Sequence, residues 1–497
     1  MANNGIKSLA KDTAIYGIST IVGKFFNWLL VPLYTHTITT AQYGVVGLLY
    51  SYIALIIIIL TYGMETGFFR FATAQPNEKE ANKVYTTTLS SIGLTSTIFV
   101  LFFWLFNPQI ANFMELADHS ELVLIMSITV AFDAFSSIPF AYLRYKKRPV
   151  KFMIIKLITI FSGIFFNIFF LVICPKIYAN NPELISWFFN PEKKVFYIII
   201  SNLIGTLAGF IALLPHIFVA KWQFDFAMLK KMLKYSLPLV MLGIVGIMNQ
   251  TIDRLMFPKI YPYSEEIWQS ELGIYQACFK IAMVMMMFTY AFRFAYEPFV
   301  FAKKESKDNK QTYSTAMTYF VITSMLIYLF LIAGLDAFPL LLKGDFSKGL
   351  SIIPFVLITY FFQGVYYNLS LWYKLTDKTI WGTWISLLGF AITLTINIIF
   401  IPKFSYWACV FASLITFFVT MLVCYFLGQK YYPIKYQIKK MLLYFVSAIA
   451  LSVLMLCVNF GNIWLNLLWR LLLLTPFVIY VLKNDVPIKE LPFFKKK

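Results

Sequence analysis

Charge is scarce in this 497-residue chain, at 13% of residues. No interval between its long apolar runs exceeds about twenty residues, the longest being 175–194. That leaves no room for a soluble domain, so whatever the chain does must happen within apolar surroundings. Cysteine is also sparse. Cys174, Cys278, Cys409, Cys424 and Cys457 are spaced as neither a disulfide framework nor a metal knuckle, and are expected as small core residues. His36, His119 and His216 lie far apart, with no HExxH, so neither a metal nor another cofactor is expected. There is no GxSxG, no P-loop, no glycine-rich phosphate cradle and no paired acidic motif in a loop. Those absences argue against an enzyme, and no catalytic residue is assigned.

Apolar sequence fills the rest. Hydrophobic residues make up 60% of the chain and aromatics 19%. Fourteen stretches, from 13–36 to 464–483, mostly exceed the roughly 20 residues that cross a hydrocarbon core. The first is too long for a signal-peptide core and is followed by no small-residue cleavage site, so it is expected to be retained as a helix. The fold class that follows is an all-α polytopic membrane protein of about 14 helices.

The basic residues are sorted. Of 42 Lys and Arg, 29 fall in one set of alternate loops and 7 in the other. Positive loops stay cytoplasmic, which predicts both termini inside. A formal charge of +19 on a soluble protein would suggest nucleic acid. Here topology accounts for it, together with contact with anionic lipids, and no nucleic-acid partner is expected.

An internal repeat is visible. Ile21-Val22-Gly23 matches Ile244-Val245-Gly246, Gly44 matches Gly273, and Thr61-Tyr62 matches Thr289-Tyr290, at offsets of 223 to 229 residues. Six helices separate the copies, an even number, so the repeat is parallel, about an axis along the membrane normal. It predicts two six-helix lobes, 1–220 and 221–430, with two helices and a basic tail in 431–497.

Polar residues inside spans are the functional signal, because each must face a partner or a wet cavity. Thr13, Tyr16, Thr20, Lys24 and Asn27 form a stripe at helical spacing, and Lys24 lies about 16 Å into its span at 1.5 Å per residue. Gly273, Gln276 and Lys280 share a face of the eighth stretch with Met283 and Met287. Lys24, Asn27, Gln276 and Lys280 are the candidate substrate-binding residues. The bland alternative is that each lysine snorkels or is paired for stability. Asp133, Asp253 and Arg254 are candidates for ion coupling or ion pairing, with Asp133 read either as the partner of Lys24 or as a proton or sodium site. Glu65, Arg70, Arg293 and Glu297, at inner span ends, are gate candidates. Lys156 is close enough to the inner face to snorkel. Arg470, mid-span in a leucine-rich stretch, fits either a headgroup contact or an interhelical bond. Gly205 and Gly209 fit GxxxG as packing.

Three segments carry a resemblance: VPLYTHTITTAQYGVVGLLYS (31–51), NQTIDRLMF (249–257) and ELGIYQACFKI (271–281). They resemble the Wzx-type oligosaccharide flippases among the polysaccharide biosynthesis membrane proteins. The superfamily also holds multidrug exporters of the MATE type and lipid II flippases of the MurJ type. The resemblance implies a flippase in the bacterial cytoplasmic (inner) membrane that moves a polyprenyl-pyrophosphate-linked oligosaccharide outward by alternating access, for O-antigen, capsule or exopolysaccharide assembly. It also implies polysaccharide polymerase or ligase machinery as partners. Two alternatives stand beside it. A cation-coupled exporter of the MATE type would put acids in its lobes, and only Asp133 fits. A membrane-embedded polymerase or glycosyltransferase would need a larger outer loop than 175–194.

Overall fold

The computed structural model describes residues 2–219, 221–302 and 309–485. Side chains are described at residue 17 and from residue 21 onward within those ranges, apart from 298, 299, 301 and 302. The chain is all-α. Its helices are α1 (Ala2–Thr37), α2 (Thr40–Thr61), α3 (Met64–Thr73), α4 (Glu78–Leu105), α5 (Asn107–Phe113), α6 (Ser120–Tyr145), α7 (Pro149–Ile168), α8 (Cys174–Asn180) and α9 (Lys194–Ile217). They continue as α10 (Phe226–Ile260), α11 (Glu265–Ala302), α12 (Asn309–Ala333), α13 (Ile353–Leu369), α14 (Leu371–Leu375), α15 (Ile380–Phe404), α16 (Tyr406–Tyr431), α17 (Ile438–Cys457) and α18 (Ile463–Asn484). Among the described residues, 13 helical segments after α1 are long and apolar enough to cross a membrane. With α1 these correspond to the fourteen stretches read from the sequence.

Local chemistry sets the breaks between helices. Thr39 opens α2 with a reciprocal capping box to Gln42, which satisfies donors that the first helical turn leaves orphaned. Tyr62 and Gly63 then take positive φ, 31° and 69°, and end α2 before α3 starts. Glycine carries no Cβ penalty there, and the Ser236 carbonyl oxygen lies 3.0 Å from where a Cβ would sit. Asn77, Asp225 and Asn462 cap α4, α10 and α18 through their side chains. A π-helical turn, Phe169–Ile173, joins α7 to α8 ahead of Pro175, whose ring removes a backbone donor.

Two compact units partition the chain: Met1–Ala277 with Ser386–Ala412, and Cys278–Ile385 with Ser413–Lys497. In the first, α7 packs on α9 and α1, and α6 on α4 and α9. Gly205 and Gly209 sit at the α7–α9 contact: a Cβ on Gly205 would meet the Thr159 carbonyl oxygen at 2.7 Å, and one on Gly209 the Thr159 hydroxyl at 2.0 Å. The small-residue pair therefore serves packing. The outward face of α4 shows Leu94, Ile98, Leu101 and Leu105, all exposed, at helical spacing, as expected of a surface that lipid covers.

In the second unit α12 packs on α17, α13 and α18. Arg470 of α18 is buried and bonds Asp336 at 2.9 Å and the Met455 carbonyl oxygen at 3.2 Å. An ion pair, and not a headgroup contact, thus holds the mid-span arginine, though its buried Nη1 makes no hydrogen bond. Four of the five cysteines are buried as expected, but Cys457 is exposed. It is the last residue of α17, where the chain departs into extended backbone at Val458, so no helix closes over it.

Candidate functional site

A polar cavity of about 620 Å³ lies within the first unit, between α1, α2, α6, α7 and α9. Its walls carry Lys24, Arg144 and Lys156 against Glu65 and Asp133, with Asn27, Asn167 and Asn202 among the neutral polar groups. Cations therefore outnumber acids in a chamber enclosed by membrane helices. A cation at such depth costs about 2.5 to 3.5 kcal/mol by insertion scales, and a polar chamber is what offsets that cost.

Rigid neighbours hold the walls. Tyr34 donates to Asn167 at 3.0 Å, and Asn167 donates in turn to the Gly163 carbonyl at 2.8 Å. Asn202 donates to the Tyr50 hydroxyl and to the Ile198 carbonyl. These bonds fix two amides in the lining of the chamber and leave them little rotational freedom. Asp133 is exposed to the cavity and accepts from the Thr206 hydroxyl at 3.1 Å. Lys156, half-buried, interacts electrostatically with Asp133 and lies 4.1 Å from the Phe140 ring centroid. Glu65 is ion-paired with Arg144, whose guanidinium also lies 5.1 Å from the Phe69 ring centroid.

The structure thus brings together Lys24, Asn27, Asp133 and Glu65. Thr13, Tyr16 and Thr20, the rest of the expected stripe, have side chains outside the described residues. Lys156 points to the chamber, contrary to the expectation that it snorkels. The expectation placed it by depth alone, whereas its α7 face and the acid opposite decide where its stem goes. Arg144 and Asn202 are cavity residues that the sequence reading did not single out, whereas Asn167 stood out with Lys156 and Gly163 on the fifth stretch. The signal for Asn167 was its spacing from Gly163 on the lysine-bearing helix, whereas nothing local marked Asn202.

Other candidates fall elsewhere. Gln276 is buried against α2, where its side-chain oxygen occupies the place a Cβ on Gly47 would take, and it does not line this chamber. Lys280 is half-buried in the second unit. Asp253 is buried and accepts from the Tyr275 hydroxyl at 2.5 Å, with Arg254 5.8 Å from the same ring. Arg70 stacks 4.0 Å from the Tyr235 ring centroid. In the second unit, Glu297 takes Arg293 at 3.0 Å and Lys374 at 2.5 Å.

A multi-pass helical membrane bundle with a charged internal chamber defines a protein of flippase-like and transporter-like fold. The chain belongs to the polysaccharide biosynthesis protein family, whose sequence model matches residues 9–296. It is similar in fold to a lipid II flippase MurJ in an inward closed conformation, with a TM-score of 0.73 at 14% identity over 95% of this chain and 99% of that one. A multidrug resistance MATE family transporter of the MOP superfamily, inward-facing, gives 0.63 at 11% identity over 82% and 94%. A Vibrio cholerae MATE transporter gives 0.58 at 12% over 86% and 98%. In sequence, an "Uncharacterized membrane protein" of Haemophilus influenzae is 22% identical over 309 residues, 60% of this chain. The match spans 66% of that protein's length.

Proposed function

We propose that the protein is a flippase carrying a polyprenyl-pyrophosphate-linked oligosaccharide across the bacterial cytoplasmic membrane for surface polysaccharide assembly. The observation that carries this reading is the charge balance of the first unit's cavity. Three cations face two acids, and Glu65 is already committed to Arg144. The lining as a whole thus carries a net positive charge, which suits a pyrophosphate. Asn27, Asn167 and Asn202 suit the hydroxyl groups of a glycan.

In this reading Lys24 and Lys156 attract the headgroup from the cytoplasmic side, with Lys280 assigned the same role, while Gln276 is left to packing. The lobes 1–220 and 221–430 alternate between inward-open and outward-open states, with 431–497 appended. Ion pairs within each lobe, Glu65 with Arg144 and Glu297 with Arg293 and Lys374, stiffen the inner helix ends assigned to the cytoplasmic gate, with Arg70 on the same helix as Glu65. An inside-negative potential, worth about 2.3 kcal/mol per charge per 100 mV, favours moving the anion outward. Both termini are cytoplasmic, and a polymerase or ligase receives the product.

The test replaces Lys24 and Lys156 singly by Ala and by Arg and follows surface polysaccharide at equal membrane abundance. Each Ala variant is expected to lower export roughly tenfold or more, corresponding to about 1.4 kcal/mol, with partial rescue by Arg. Normal export by both Ala variants would reject the reading. A cation exporter of the MATE type is the second reading, favoured by one observation: Asp133 is exposed to the same chamber.

A further inference from the structure

On the basic face of the first unit, a much smaller pocket of about 110 Å³ lies where the ends of α4, α6, α7 and α9 meet. Lys146, Arg148 and His216 line it, together with Tyr142 and a single acid, Glu78. Lys151, one turn into α7, acts on His216 electrostatically, as does Arg148. Lys146 is already ion-paired with Glu78. Arg148 and the His216 imidazole are the remaining donors among its lining residues, which include no second carboxylate, and Lys151 adds positive charge nearby.

The pocket is built by its backbone. Lys147 takes a left-handed φ of 53°, and the turn is closed by Lys146 N–H to the Tyr142 carbonyl and Arg148 N–H to the Leu143 carbonyl, each at 2.9 Å. This reversal holds Arg148 at the start of α7. Opposite it, the Tyr85 hydroxyl donates to the His216 carbonyl at 2.8 Å and fixes the end of α9. Beyond α9 the chain exposes Phe218, Trp222, Phe224 and Phe226, an apolar group in which the Trp222 indole favours the headgroup level of a bilayer.

We propose that this pocket binds the phosphate of a membrane lipid, with Arg148 and His216 as its ligands, Lys151 adding positive charge nearby, and the exposed Phe218, Trp222, Phe224 and Phe226 lying along the lipid's glycerol and upper acyl region. Basic pockets between transmembrane helices on the cytoplasmic side recognise anionic headgroups by charge-assisted hydrogen bonds. A 110 Å³ pocket takes one phosphoryl group and no glycan. The site is separate from the 620 Å³ cavity and is independent of what that cavity transports.

The test uses the purified full-length protein in neutral detergent and native mass spectrometry with phosphatidylglycerol, phosphatidylcholine and inorganic pyrophosphate as probes. Wild type is expected to retain one phosphatidylglycerol in preference to phosphatidylcholine. Arg148→Gln with Lys151→Gln should weaken that binding by on the order of thirtyfold, from two charges near the surface, whereas Arg148→Lys should largely keep it. Lys230→Gln with Lys231→Gln removes the same charge from an exposed stretch of α10 and should change it little. Equal loss in both double variants would show diffuse attraction and overturn the site, as would equal retention of phosphatidylcholine. Preference for inorganic pyrophosphate over phosphatidylglycerol would reassign the same chemistry to a soluble anion and overturn the lipid. An Arg148/Lys151 double variant that binds like wild type would refute the assigned ligands even if the preference for phosphatidylglycerol held.

Discussion

Gly44 and Gly273 meet across the α2–α11 crossing in a reciprocal contact. A Cβ on Gly44 would lie 2.0 Å from the Gln269 carbonyl oxygen, and a Cβ on Gly273 would lie 1.9 Å from the Thr40 carbonyl oxygen. Residues 40 and 269 are related by the same 229-residue offset that relates the two glycines. When i meets j and the counterpart of j meets the counterpart of i, the contact is isologous and a local two-fold axis passes through it. The repeat seen in sequence thus has a geometric counterpart at this crossing.

Neither backbone oxygen can move aside without shifting a helix. Gly44→Ala and Gly273→Ala are therefore expected to destabilise the protein by about 1 to 3 kcal/mol, the usual range for overpacking. Truncating Gln269 should not rescue Gly44→Ala, because the clash is with backbone. Gly47 is different, since its Cβ would meet the Gln276 side chain. Gln276→Ala should therefore rescue Gly47→Ala. Melting temperatures of the singles and doubles in detergent decide it, and rescue of Gly44→Ala by Gln269→Ala would contradict the geometry.

Asp225 caps α10 through the Met228 N–H at 2.9 Å and pairs with Lys83 at 2.8 Å. The Lys83 ammonium and that N–H together hold its carboxyl below the usual Asp range. Stabilisation from a depressed carboxylate is complete above the ordinary value of about 3.9 and fades as pH falls through the lowered one. Asp225→Asn keeps a competent cap but removes the charge. It is expected to flatten the loss of thermal stability below about pH 4, whereas Asp225→Ala should also lower stability at pH 7. An acid limb unchanged in Asp225→Asn would remove the carboxylate from this role.

Helix count and class were legible because hydropathy is local: twenty apolar residues mean a span whatever packs against them. Lys24 and Asp133 were legible for the same reason, as charges out of place in apolar runs. Lys156 was misjudged because depth and rotation depend on the neighbouring helix, which composition does not encode. Asn202 carries no sequence mark at all, since a lone amide in an apolar helix reads as packing until Tyr50 is found opposite it. Arg470 was recognised as unusual, but its partner Asp336 lies 134 residues away, outside any periodicity.

That distant pair makes its own prediction. Arg470 is buried, while Asp336 is partly exposed and also accepts from Asn466 at 2.7 Å. Removing one partner of a buried pair typically costs 3 to 5 kcal/mol, and the exposure of Asp336 sets the expectation for Asp336→Ala at about 3 or less. Arg470→Met with Asp336→Asn should recover much of the loss, because no uncompensated charge remains. Membrane abundance and melting temperature report both, and a double variant worse than either single would rule out the pair as the cause.

Asp133 separates the two transport readings. In an anion flippase it tempers Lys156, so Asp133→Asn makes the chamber more positive. Anion capture should persist, export should fall by no more than about threefold through slower release, roughly 0.6 kcal/mol, and added salt should lessen the effect. In a cation exporter the same carboxylate is the site that ligand and coupling ion share, and its loss should abolish resistance to cationic dyes. Surface polysaccharide and dye tolerance measured in the same cells distinguish the cases. Export intact with tolerance unchanged fits an anionic cargo, whereas lost tolerance with polysaccharide unaffected would assign the chamber to cations.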